Sequence, residues 1–146
     1  MSSSKGTVAE HQRIVVAAFI TQDGRVLLAK RAGGKAIAPG KWHLPGGHVE
    51  FGEQPDNALA RELMEELGVV VRVGPPIHVF SYLWDHTHTV GIVFRVELSG
   101  DASSLRWNPL DIQSIEWVSA SDLRNYLQQD DHNLVAAEVG LRDRVL

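Results

Sequence analysis

The sequence predicts an α/β/α sandwich in which a mixed β-sheet lies between helices. Strand-like segments stand on both sides of a single strongly helical stretch, and further helical pattern closes the chain; that order builds a mixed sheet covered by helices. The 146 residues fit one domain, and 44% hydrophobic residues suffice for one sizeable core. No repeat and no second composition divides the chain.

Residues 1–12, MSSSKGTVAEHQ, are Ser-rich and aperiodic, and read as a flexible N-terminal tail before a domain spanning 13–146. RIVVAAFI (13–20) and RVLLAKR (25–31) read as a hairpin, because Asp23-Gly24 between them is a turn signal. AGGKAIAPGK (32–41) is a Gly-rich loop, and WHLPGGHVEF (42–51) reads as short extended pieces around the Pro45-Gly46-Gly47 break. Residues 54–67 fit a helix, with Pro55 in its first turn and Gly68 as its stop; Val69-Val70-Val71 begins a strand. IHVFSYLW (77–84) and TVGIVFRVEL (89–98) make a second hairpin around DHTH (85–88). After a loop over 99–111, IQSIEWV (112–118) is the last strand. Ser119 or Ser121 is placed to cap the helix SASDLRNYLQ. The final helical stretch, LVAAEVGLRDRVL, is weakened by Gly140.

Composition narrows the function. A formal charge of −4 with no run of Lys and Arg argues against extended nucleic acid as a partner. A few placed arginines or bound cations still suit a small anion. With no cysteine, disulfides, thiolate metal sites and thiol nucleophiles are excluded. No apolar signal core opens the chain and nowhere do about 18 apolar residues run together, so a soluble cytoplasmic protein without a membrane partner is expected. A homodimer is left open.

The stretch GHVEFGEQPDNALARELMEELGV, residues 47–69, crowds Glu50, Glu53, Asp56, Glu62, Glu65 and Glu66 around a single Arg61. Like charges three and four residues apart on a helix repel. On a helical wheel Glu62, Glu65 and Glu66 share a face, with Leu59, Ala60, Leu63, Met64 and Leu67 on a band roughly opposite and small Ala58 leaving open space beside Glu62. The face is either a solvated acidic surface or a site for a hard divalent cation such as Mg²⁺, which prefers carboxylate oxygen and is often shared with substrate phosphates. Gly46 and Gly47 permit a tight turn and close approach of a ligand, and a carbonyl there suits a metal. Glu53 stands where a carboxylate caps a helix or takes part in catalysis. Arg61 pairs with Glu65 one turn on.

Gly47, Glu53, Arg61-Glu62-Leu63, Glu65-Glu66 and Gly68-Val69 stand at the spacing of the Nudix box, and residues 47–69 resemble it at every defining position. The resemblance implies the Nudix-type α/β/α sandwich and hydrolysis of a nucleoside diphosphate linked to a further group, with Mg²⁺ or Mn²⁺. By family role Glu62, Glu65 and Glu66 hold metal, Gly46 or Gly47 lends a carbonyl, Glu53 assists and Arg61 orients the glutamates. The family places its general base variously; Glu62 is the first choice, with Asp111 and Glu116 as alternatives outside the box.

LPGGHVEFGE (44–53) looks most like the MutT-like branch, which implies a nucleoside triphosphate cleaved to monophosphate and pyrophosphate. The same resemblance makes Arg31 a nucleotide contact, as against an ordinary strand-end charge. Phe80, Tyr82 and Trp84 alternate onto one strand face as a stacking wall or as core. Asn133, beside Asp130 and Asp131, is a partner for a base edge or a helix N-cap. His86 and His88 flank a turn with no third ligand nearby. Nucleotide sugars, ADP-ribose and dinucleotides are the competing substrates, and a non-catalytic nucleotide sensor is the competing class.

Overall fold

In the computed structural model, which describes residues 9–35 and 39–143, the longest-range organiser is β1 (His11–Gln22). Strand β2 (Arg25–Arg31) folds back from it through Asp23-Gly24, with φ of 53° and 76°. Two left-handed residues in sequence match the twist of the flanking strands, which is why Asp-Gly marks a hairpin. Strand β3 (Trp42–His43) pairs with β2, and β4 (Gly46–His48) pairs with β1, so Gly46-Gly47 is not a free break but part of the sheet. Helix α1 (Pro55–Leu67) follows, then β5 (Val71–Trp84) and β6 (Thr87–Leu98). Strand β7 (Ile112–Ser119) pairs with β2, and α2 (Leu123–Tyr126) and α3 (His132–Arg142) complete the described chain.

The sheet is mixed. β1 runs parallel to β6 from His11↔Thr87 to Ile20↔Val96, while its other pairings are antiparallel. Because His11 and Gln12 already pair with Thr87 and His88, the first strand begins inside the stretch expected as a tail; residues 1–8 lie outside the described residues. β5 is an edge strand, and Pro75-Pro76 sits where its pairing with β6 is irregular, a place where a missing N–H is tolerated.

Period-two alternation divides the apolar residues between two cores. Val16, Ala18, Ile20, Leu27 and Ala29 face Leu59, Leu63 and Leu67 of α1. Phe19, Val26 and Leu28 face Leu123, Leu134 and Ala137 of α2 and α3. Each of the three α1 leucines is fully buried and contributes about 1.5–3 kcal/mol of transfer free energy. Helices on both sheet faces make the expected sandwich.

Helix ends follow local chemistry. Pro55 opens α1, and Gly68 ends it at φ 63°, its N–H donating to the Met64 carbonyl at 3.0 Å. The stretch expected as one helix after Ser119 is a 3₁₀ turn over 120–122 and the single turn of α2; the Ser119 hydroxyl donates to the Asp122 carboxylate rather than capping an N–H. Gly140 sits inside α3 because a Cβ there would lie 2.7 Å from the Phe19 ring. Close packing therefore offsets its low helix propensity. Among the described residues no helix is long and apolar enough to cross a membrane.

Candidate active site

Strand β4 and helix α1 meet through two glycines whose need is steric. A Cβ on Gly46 would collide with the Val16 carbonyl of β1, and a Cβ on Gly47 would occupy the place of the Glu62 carboxylate. Neither residue has a positive φ. Their role is close approach, to a strand on one side and to a carboxylate on the other. Glu62 Oε2 accepts the His48 N–H at 3.1 Å, which fixes the side chain across β4.

The glutamates do not share one exposed face. At about 100° per residue, Glu62 and Glu66 fall between Ala58 and Leu59 on the wheel, inside the arc that packs on the sheet. Ala58 is fully buried and leaves no open space, whereas Ala60 and Met64, expected in the buried band, are half-buried and exposed. Glu62 and Glu66 therefore point inward towards β4. Only Glu65, with 59% of its side chain exposed, stands outside. Burial lifts the Glu66 carboxyl to about 7, and the neighbouring Glu62 adds to the rise; burial also raises Glu62. Glu66 Oε1 is buried with no hydrogen-bond partner.

Arg61 organises the other side. Its Nε and Nη2 donate to the two oxygens of Glu53 at 2.8 and 3.0 Å, and Nη2 also donates to the His48 carbonyl at 3.0 Å. Nη1 donates to Glu65 Oε1 at 3.2 Å and lies 3.6 Å from Glu62 Oε2. One guanidinium thus ties the β4 backbone to the acids around it. The Arg61 hydrogen bonds, with one from the Glu50 N–H, hold the Glu53 carboxyl down at about 2. Glu53 is not the helix cap: that position is Gln54, which makes no side-chain cap bond.

Beside this corner a groove of about 300 Å³ runs over β1 towards α3. Its cations are Arg13, Arg31 and Lys41 and its one acid is Asp131, an excess of positive charge in a chain of −4. Arg31 lies on the Glu66 side and acts on its charge. Phe80 and Tyr82 line the groove, with parallel rings 6.2 Å apart, and His132 stacks 4.5 Å from Phe80. A Cβ on Gly91 would collide with the Phe80 ring, so this glycine lets the ring lie flat on the sheet. Trp84, although on the same strand face, is 63% exposed at the β5–β6 turn and does not line the groove. The strand runs past the groove before reaching it.

Asn133 is in the groove but is not the cap of α3. Asp131 caps it, accepting the Asn133 N–H at 2.8 Å. The Asn133 side chain accepts the Leu44 N–H at 2.9 Å and donates to Asp131 at 2.8 Å, so it clasps the β3–β4 connection to α3. Of the other acids, Asp111 lies close enough to raise Glu66 but is paired with Lys35 Nζ at 2.6 Å. Glu116 is exposed on β7 opposite Leu28, with no ion pair among the described residues. His86 and His88 border a larger hollow, about 940 Å³, at the β5–β6 turn, which contains no box residue. Arg13 and Lys41 are the groove cations that the sequence did not reveal; strand alternation places Arg13 on the groove side, but nothing local distinguishes either from an ordinary surface charge.

A hard divalent cation fits the corner, because an unpartnered buried carboxylate oxygen and an inward-pointing neighbour supply the oxygen donors such an ion prefers. The donors are not gathered at one point: among the described residues no three acidic or imidazole side chains converge as a metal cage, and Glu65 turns to Arg61. The fit rests on Glu62 and Glu66 with backbone oxygen of β4.

Comparison with known proteins agrees with this fold. The NUDIX domain pattern matches residues 10–139. The chain is 49% identical over 123 residues to a nucleoside triphosphatase NudI of Escherichia coli O139:H28 (79% of this chain, 87% of the relative). It is 32% identical over 122 residues to NudI of Klebsiella pneumoniae (78% and 86%). The crystal structure of a MutT NUDIX hydrolase from Burkholderia pseudomallei superposes with a TM-score of 0.73 at 30% identity, covering 88% of this chain and 98% of that one. The box is thus folded within a domain of matching architecture, and the chain belongs to the NUDIX domain family as a Nudix pyrophosphohydrolase.

Proposed function

We propose that this protein hydrolyses a nucleoside triphosphate to a nucleoside monophosphate and pyrophosphate, using Mg²⁺ or, in its place, Mn²⁺. The observation that carries the reading is the unpartnered, buried Glu66 Oε1 in the corner beside a groove lined by Arg13, Arg31 and Lys41. An acid so placed is costly unless a cation joins it, and a cationic groove beside it suits phosphates. The names of the NudI relatives, nucleoside triphosphatases, support the same substrate class.

Glu62 and Glu66 would hold the ion, with Glu65 and a carbonyl of Gly46 or Gly47 as further oxygen donors. When bound, the ion supplies charge neutralisation at the phosphoryl oxygens and a lowered pKa for water. Glu62 Oε2 is already engaged by the His48 N–H, which leaves Oε1 to take a proton from the attacking water. Arg61 holds Glu53 and the β4 carbonyl in place. Arg31 contacts the phosphates, and Phe80 and Tyr82 offer the base a stacking surface. Asn133 fixes the connection that forms the groove wall. The partner is a small nucleotide in an aqueous compartment, expected to be the cytoplasm.

A panel of triphosphates, nucleotide sugars, ADP-ribose and dinucleotides, assayed with Mg²⁺ and with Mn²⁺, tests the reading. Triphosphates should show the highest kcat/KM and release pyrophosphate rather than single phosphate. A nucleotide sugar or ADP-ribose preferred by about tenfold, roughly 1.4 kcal/mol of transition-state preference, would move the substrate to that class. No cleavage of any compound would make the protein a binding module.

A further inference from the structure

Arg13 differs in its partners from the arginines that are paired with an acid. Arg61, Arg72 and Arg124 each lie on a glutamate, whereas among the described residues Arg13 has no carboxylate within ion-pair distance. Its partners are neutral. Nε donates to Thr89 Oγ1 at 2.8 Å, Nη1 lies 3.3 Å from His48 Nε2, and Nη2 donates weakly to the Tyr82 hydroxyl at 3.4 Å. Thr89 is fully buried and is the one buried polar residue among those described. A buried hydroxyl needs a partner, and here it fixes the inner edge of the guanidinium.

The sheet register explains the arrangement. Arg13 pairs with Thr89 across β1–β6, and Thr89 pairs with Tyr82 across β6–β5, so the three side chains form one row on the groove side. His48, next to Gly47, closes the row from β4. Anchoring through Nε leaves the two terminal nitrogens towards the groove, between the aromatic pair and the acidic corner. Their contacts at 3.3 and 3.4 Å are longer than ordinary charge-assisted bonds and can be exchanged for better acceptors.

We infer that Arg13 is a further substrate-recognition residue, whose terminal N–H fork donates to an adjacent pair of hydrogen-bond acceptors on the nucleotide. The inference rests on the proposed nucleotide substrate. Two parts of such a ligand present that acceptor pair: two oxygens of a phosphate, or the edge of a base such as guanine O6 and N7. Thr89 acts through Arg13, as a positioning residue.

The test is binding rather than turnover. Wild type, Arg13→Ala, Arg13→Lys and Thr89→Val are titrated with α,β-methylene analogues of the common nucleoside triphosphates and with inorganic tripolyphosphate, and melted in parallel. Arg13→Ala should weaken the best analogue by about ten- to a hundredfold, the range of a lost charge-assisted pair. Arg13→Lys should recover little, since an ammonium cannot reproduce the fork. Thr89→Val should weaken binding in the same direction by less. If tripolyphosphate weakens in parallel and the order of bases is kept, the fork holds phosphate. If tripolyphosphate is unaffected and the order of bases flattens, it reads a base edge. Arg13→Ala binding every analogue as wild type does, whatever its melting temperature, overturns the inference alone. A wild type that binds no nucleotide on the panel overturns the proposed function with it.

Discussion

The acidic corner takes its groups from residues 46–66, on one short strand, one loop and one helix, whereas the adjoining groove takes Arg13 from β1, Arg31 from β2, Phe80 and Tyr82 from β5, and Asn133 from α3. The corner is held by local geometry: the one-turn spacing of Glu62 and Glu66, and Arg61 reaching Glu53 and the β4 carbonyl. The groove is held by the sheet register and by a clasp between distant loops. In the proposed function, chemistry that needs rigid placement falls to a contiguous stretch, and recognition to a surface that only the finished fold assembles. Substitutions in the corner should change kcat; those in the groove should change KM and substrate order.

The largest effect belongs to Glu66. Glu66→Gln should keep the fold and lower turnover at least about a hundredfold, because an amide cannot neutralise a cation as a carboxylate does. Steady-state rates and melting on one sample decide it, and a near-normal rate would remove Glu66 from the metal set. Gly47→Ala should follow, with a loss of about ten- to a hundredfold in kcat, since the new methyl displaces the Glu62 carboxylate. If kcat is kept and only KM rises, Glu62 belongs functionally to the groove and the division between the regions fails.

In the groove, Asn133→Ala removes the acceptor of the Leu44 N–H and should cost about 1–2 kcal/mol of stability. KM should rise more than kcat falls. A flattened order of bases in the same variant would show that the amide also reaches the substrate. The smallest effect is at Trp84, whose replacement by Ala should leave kcat/KM within about twofold, since the ring is exposed beyond the groove. A tenfold loss there would extend the groove to the β5–β6 turn.

Glu53 sharpens the contrast through pH. Its carboxyl is held at about 2 against an ordinary 4.5, so its folded value lies below its unfolded one. The stability it contributes is present above about 4.5 and is lost as pH falls towards about 2. Melting of wild type and Glu53→Gln across that interval should show the wild-type advantage closing. A gap that is constant with pH would mean that the Arg61 pair adds nothing through charge.

What could be read from the sequence divides along the same line. The box is legible because its residues lie close in the chain and helical spacing fixes their neighbours. Its orientation was open to a wrong reading: proximity of Glu62, Glu65 and Glu66 does not say which of them face the core, and the buried alanine beside Glu62 looked like empty space. A wheel centred on Ala58, Leu59 and Leu63 supplies the missing signal. The start of β1 was hidden because His11 and Gln12 are polar and pair only with a distant strand. Trp84 shares an alternation with Phe80 and Tyr82, but alternation gives a face and not a position along it. Arg13 becomes visible only when β1, β6 and β5 are in register.

The most direct test of the account is thermal melting of metal-free wild type and Glu66→Gln at about pH 8, with EDTA and then with increasing Mg²⁺. The folded Glu66 carboxyl stands at about 7 rather than 4.5, so above 4.5 the unfolded chain ionises it more readily and the folded state loses stability until about pH 7. That amounts to up to about 3 kcal/mol. Without metal Glu66→Gln should therefore melt higher than wild type. Mg²⁺ should raise wild type by mass action and leave the variant nearly unmoved. A variant that melts lower in EDTA, or that gains as much from Mg²⁺ as wild type does, would contradict the claim that this buried oxygen is kept for a cation.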